Sequence, residues 1–293
     1  MSKKRFARKL GVVVAFSLLL GMGNVPNVSS AKAMESDQSF EMLQDWYNDY
    51  KVNGNEAVTG NEAVVGDEAG DQTITNHAYY YLGRSIYYVT KRTKTKVKVE
   101  SVSIGYRAKR QISDGSYIYG FVTCGHGIRN SVDSRVYGSE YNAEKNRGVI
   151  GWRYISRYDG KVDASFVNMK SGHTIKTQTK GNVTITSSLK TVKAGEKVCM
   201  CGGVSGTVKN VEVVVADKDG VPVNDFGRGI TYFDNLIETR SMGQAGDSGS
   251  IVYYAQTGKP RIVGIYVAGD DYGYFGFVVP VQAINKELKV KPY

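Results

Sequence analysis

At 293 residues the chain is long enough for one large or two small domains with a full core. Its 21 Tyr and 34 Gly against 5 Pro favour many strands joined by glycine-containing turns and argue against a helical bundle. The formal net charge is +10, but Lys and Arg are scattered along the chain, which argues against a nucleic-acid binder.

The first residues carry Lys3, Lys4, Arg5, Arg8 and Lys9, followed by an apolar run from Leu10 to about Met22. Ala31-Lys32-Ala33 supplies a small-x-small cleavage signal. This is the pattern of a secretory signal peptide over residues 1–33, too short in its apolar part to cross a bilayer. The expectation is export with no transmembrane anchor in the mature protein.

Residues 34–77 carry ten acidic groups against Lys51 alone, a charge of −9, whereas residues 78–293 carry +13. Phe40, Leu43, Trp46, Tyr47 and Tyr50 recur at helical spacing, which predicts an amphipathic helix from Ser36 to about Lys51. An imperfect six-residue repeat follows at Asn55–Gly60 and Asn61–Gly66, with a truncated copy at Asp67–Gly70. Three copies are too few for a solenoid, so residues 34–78 read as an acidic pro-segment or linker.

Beyond residue 78 the pattern is β throughout, as in Tyr117–Val122, Val211–Val215 and Arg261–Val267. Turn signals separate such runs at Ser113-Asp114-Gly115, Tyr158-Asp159-Gly160 and Lys218-Asp219-Gly220. Lys91, Arg92, Lys94, Lys96 and Lys98 form the one dense basic run, read as a solvated edge strand or a patch for anionic cell-wall polymers. Only the tail, Val281–Leu288, has helical periodicity. Cys124, Cys199 and Cys201 make an odd count, and the last two are too close in sequence to bridge each other easily. They read as buried thiols, and no metal or cofactor is expected.

Three short motifs carry chemistry: Thr123-Cys124-Gly125-His126-Gly127, Val162-Asp163-Ala164-Ser165-Phe166 and Gly246-Asp247-Ser248-Gly249-Ser250. In order they give His126, Asp163 and Ser248, the chain order of a chymotrypsin-type triad. A serine hydroxyl is a poor nucleophile near neutral pH and needs a base within reach. Of three histidines, His77 lies in the acidic segment and His173 in a polar, turn-like stretch, which leaves His126. Asp163 leads into an apolar strand, whereas its rival Asp159 sits in an Asp-Gly turn. An α/β-hydrolase would need a His after its Ser, and none follows Ser248. No His-Glu-x-x-His, P-loop or dinucleotide fingerprint is present.

With these motifs, Val102-Ser103-Ile104-Gly105-Tyr106 and Gly120–His126 resemble the bacterial branch of the trypsin/chymotrypsin superfamily, the streptogrisin and α-lytic proteases in particular. The resemblance covers roughly residues 80 to 290, and nothing before residue 78 resembles that family's usual pro-region. It implies two antiparallel β-barrels with a short C-terminal helix. The first, over 79–180, would carry His126 and Asp163; the second, over 181–293, would carry Ser248. It also implies an oxyanion hole from the amides of Gly246 and Ser248, and a buried Asp247 with a cationic partner. The chain departs from the family here. Met200 stands where bacterial relatives supply that Arg, with Arg228 and Arg240 as substitutes; Gly127 replaces a usual Cys, and Ser250 a commoner Gly.

By the same resemblance the substrate pocket has Met242 at its base, Gly243 and Val267-Ala268-Gly269 as walls, and Gly276 at its far side. Its glycines and Met imply an open, apolar pocket for a large apolar residue, unless Asp270 or Asp271 reaches inward and favours Lys or Arg. Tyr266 stands where glutamate-specific relatives place His, which speaks against acidic specificity. The sequence thus implies a secreted bacterial serine endopeptidase acting on polypeptides through an acyl-enzyme. The alternative is a non-catalytic cell-wall-binding protein on the same scaffold.

Overall fold

The structure is a computed structural model and describes residues 12–13, 78–225, 229–256 and 258–293. The expected leader (apart from Val12–Val13), amphipathic helix and hexapeptide repeat lie outside the described residues. Nineteen strands are defined among these residues: β1(Val12–Val13), β2(Ala78–Leu82), β3(Ser85–Arg92), β4(Val97–Ser103), β5(Arg107–Gln111), β6(Tyr117–Thr123), β7(Arg135–Tyr137), β8(Val149–Tyr158), β9(Asp163–Met169) and β10(His173–Thr179), then β11(Lys197–Gly202), β12(Gly206–Lys218), β13(Val221–Asp225), β14(Gly229–Phe233), β15(Leu236–Arg240), β16(Ile251–Tyr254), β17(Arg261–Asp270), β18(Phe275–Pro280) and β19(Val290–Pro292). The helices are α1(Gly125–Ile128), α2(Glu140–Glu144) and α3(Val281–Leu288).

The first half, joined by β19 from the C-terminal end, builds an eight-stranded sheet in the order β19-β5-β6-β9-β8-β7-β3-β4. The connection Ile104–Tyr106 draws the curled sheet together: Ile104 N donates to Arg84 O at the start of β3, and Gly105 N donates to Val122 O on β6. In the second half, β11, β12, β15, β18, β17 and β16 pair in a closed antiparallel ring, with β17–β18 completing it. Closure leaves those strands no free edge. Val12–Val13 pairs with β13 and with Gly269–Asp270 of β17.

The Asp-Gly turn signals fall at the β5–β6 hairpin, the end of β8 and the β12–β13 turn. The basic run forms the β3–β4 hairpin, with β4 at the sheet edge and its lysines exposed. Tail periodicity produces α3, which buries Val281, Ile284 and Leu288. The helix docks on the first half through Tyr106 Oη, which donates to Asn285 Oδ1 at 2.8 Å, and β19 then pairs with β5. The helices α1 and α2, of four and five residues, are absent from the sequence reading because one turn is too short to carry a period. All three cysteines are buried free thiols.

Candidate active site

Strand β6 ends at Thr123, and the chain enters α1, which carries His126. Strand β9, paired with β6, begins at Asp163. Adjacent strand ends therefore bring the two side chains together: His126 Nδ1 lies 2.6 Å from Asp163 Oδ2. The other carboxylate oxygen accepts from the amides of Gly125 and His126, each at 2.7 Å. Gly125 permits this approach, since a Cβ there would lie 2.1 Å from Arg157 O and 3.0 Å from Asp163 Oδ1. Asp163 is only 2% exposed, and these three partners satisfy its buried oxygens. Burial opposes the imidazolium, but the Asp163 carboxylate and then Cys124 outweigh it and hold His126 well above the usual histidine range. The rival Asp159 is exposed and accepts from the Lys161 amide within its own turn. His173 packs edge-on against Tyr80 in β10, while His77 lies outside the described residues.

Ser248 lies in the tight loop between β15 and β16, flanked by Gly246 at φ 93° and Gly249 at φ 87°. Both angles are readily available only to glycine. Ser248 Oγ donates to Val267 O at 3.3 Å. The loop is fixed from the first half of the chain: Ser103 N donates to Ser248 O, and Thr123 Oγ1 donates to Ser103 O, each at 2.7 Å. Ser103 Oγ also donates to Gly246 O at 3.0 Å and accepts from Gly203 N at 2.9 Å. Among the described residues, the amides of Gly246 and Ser248 meet no acceptor, although both residues are buried. Buried N–H groups without acceptors are rare, and here two of them lie in one loop.

Asp247 is fully buried, and among the described residues its bonded partners are amides and a hydroxyl rather than an arginine. Its carboxylate accepts from the amides of Val204, Ser205 and Gln244 at 2.9 to 3.1 Å, and from Ser205 Oγ at 2.5 Å. The β11–β12 hairpin turn thus takes the place of the expected cation. Gly202 admits the carboxylate, because a Cβ there would lie 2.3 Å from Asp247 Oδ1. Met200 is buried in the apolar core. Of the two proposed substitutes, Arg240 stacks over Phe275 near Glu212, and Arg228 lies outside the described residues.

Of the residues expected to line the substrate pocket, Val267 offers its carbonyl to Ser248 Oγ, while Gly243, Gly269 and Gly276 face the buried ring of Tyr266, with Met242 beside Gly276. Open space was expected over these glycines, and the Tyr266 ring lies against them instead, because glycines make room only for what the neighbouring side chains leave unfilled. Asp270 does not reach inward either: its Oδ1 accepts from Tyr274 N and Phe275 N at 2.7 and 2.8 Å, and Asp271 is exposed. Sequence reasoning also missed Ser103 and the 203–205 turn. Their bonds span long sequence separations, and no local pattern marks them.

No family model and no curated protein matches the chain. Solved structures do. Protease A of Thermobifida fusca is similar at 21% identity and a TM-score of 0.53, over 73% of this chain and 98% of that one. A glutamic acid-specific serine protease, described as using a histidine triad in substrate binding, gives 18% and 0.53 over 73% and 100%. Nocardiopsis protease gives 21% and 0.51 over 73% and 99%. The chain has the chymotrypsin-like fold of these bacterial serine proteases.

Proposed function

We propose that this chain is an exported serine endopeptidase in which Ser248, His126 and Asp163 form the catalytic triad. The observation that carries this reading is the buried His126–Asp163 pair at 2.6 Å beside a serine loop whose two amides lack acceptors. The solved proteins of the same fold are themselves serine proteases, which agrees with a hydrolase acting on polypeptides.

In the proposed mechanism the Ser248 hydroxyl leaves the Val267 carbonyl and passes its proton to His126 Nε2 as Oγ attacks the substrate carbonyl carbon. Asp163 holds the imidazole so that Nδ1 carries a proton and stabilises the imidazolium as it forms. The tetrahedral oxyanion accepts from the amides of Gly246 and Ser248; one such donor is worth about 3 kcal/mol of barrier. His126 then protonates the leaving amine, the C–N bond breaks, and an acyl ester remains on Ser248. Water, deprotonated by His126, releases the acid and restores the hydroxyl. Ser248→Ala and His126→Ala should fold and be exported normally, with peptide turnover lowered by several orders of magnitude. Near-unchanged turnover in either variant would refute the assignment.

A further inference from the structure

We propose that Tyr266 fills the pocket for the residue preceding the scissile bond, so that the enzyme cleaves after glycine, alanine or serine. This rests on the peptidase reading and adds its substrate class. A peptide that acylates Ser248 must place the side chain of its acyl residue directly beside the serine. Tyr266 is held at that place by the backbone: Gly249 N donates to Tyr266 O at 2.7 Å, and Tyr266 N donates to Ser250 O at 2.9 Å. The following residue, Val267, offers its carbonyl to Ser248 Oγ.

From there the phenol ring runs between the glycines that would otherwise leave a cavity. A Cβ at Gly243 would lie 2.7 Å from both Cε1 and Cζ of Tyr266. One at Gly276 would lie 3.2 Å from Cε2, with Met242 Cγ at 3.5 Å, and one at Gly269 would lie 3.1 Å from the hydroxyl oxygen. Tyr266 is 3% exposed, so the ring is packed on all sides rather than swung into solvent. A hydrogen, methyl or hydroxymethyl group need not reach the ring, whereas a branched or aromatic side chain would have to displace it.

The charges nearby do not favour the long charged side chains. Asp270 spends its carboxylate on the amides of Tyr274 and Phe275, which leaves it turned to the β17–β18 hairpin rather than to a basic side chain. Burial, with Asp247 and Asp270 adding to it, pushes the Tyr266 phenol far up, so it stays neutral. A neutral phenol offers an acidic side chain no cation to pair with.

The test uses peptide amides identical except for Gly, Ala, Ser, Leu, Phe, Lys or Glu before the scissile bond. The wild-type protein is expected to prefer Ala over Phe by about a hundredfold or more in kcat/KM. Tyr266→Ala should reverse this order and bind free indole, which the wild type should not bind. Tyr266→Val is the second variant should the larger cavity impair folding, as judged by circular dichroism. Wild-type preference for Leu, Phe, Lys or Glu, or equal indole binding by wild type and variant, would overturn the proposal. Indole binding does not need catalysis: failure of Ser248 to react with a fluorophosphonate would remove the peptidase reading and leave the filled pocket to be judged separately.

Discussion

The Ser103 amide donates to the carbonyl of Ser248 at 2.7 Å, joining the end of β4 in the first sheet to the serine loop of the closed barrel. Ser103 O accepts from Thr123, three residues before His126, so the two halves of the proposed triad are referenced to a single residue.

Ser103→Ala should lower kcat more than it raises KM. The variant keeps the backbone bond to Ser248 but leaves Gly246 O and Gly203 N without their hydroxyl partner, at a cost of about 1–3 kcal/mol for each group left unsatisfied. Steady-state kinetics with denaturant unfolding checks this. Unchanged kcat alongside lost stability would make Ser103 a packing residue only.

Asp247→Ala should destabilise the fold and disable Ser248 together. It removes an acceptor shared by three amides and the Ser205 hydroxyl, all directed at one buried point. Asp247→Asn should also fail, because one of its two oxygens becomes a donor facing donors. Fluorophosphonate labelling rate and thermal midpoint should fall in both; normal labelling would mean that the loop holds its shape without the carboxylate.

Because Asp247 already has its donors, activity should not depend on a newly cut N-terminus. Limited proteolysis within residues 34–77 should leave the intrinsic labelling rate of Ser248 unchanged at high salt. The acidic segment carries −9 against +13 for the remainder, so any restraint it exerts should weaken as ionic strength rises. A large, salt-independent rise in activity on cleavage would point to a zymogen.

The acidic limb of kcat/KM against pH should lie above the ordinary histidine value of about 6.5, since His126 must be neutral to accept a proton and its pKa is raised. Asp163→Asn should move the limb down, because the largest influence opposing burial is then gone, and should lower kcat by about 10⁴. A raised folded-state pKa also gives stability that is full below the unfolded value and lost as pH rises through the folded one. A limb at the ordinary position in both proteins would contradict the pairing.

What was legible in the sequence is what neighbouring residues decide. Alternating β-branched and aromatic runs, Asp-Gly turns and the Val281–Leu288 period led to the β-rich fold with its terminal helix. His126 and Asp163 were readable because each sits at the end of a strand with a local motif around it. Asp247 was readable as a buried carboxylate, but most of its donors come from a hairpin turn some forty residues earlier, and amides carry no signature in sequence. The position of the Tyr266 ring was illegible for a related reason. Gly243, Gly269 and Gly276 announce space, and only the packing of three separate segments decides that the Tyr266 ring takes it.

The central claim is tested most directly by treating the folded, exported protein with a fluorophosphonate and mapping the adduct by mass spectrometry. The account predicts one adduct per chain, on Ser248, formed much more slowly in His126→Ala and not at all in Ser248→Ala. A correctly folded wild-type protein that stays unlabelled would contradict it and favour a non-catalytic binding protein on the same scaffold.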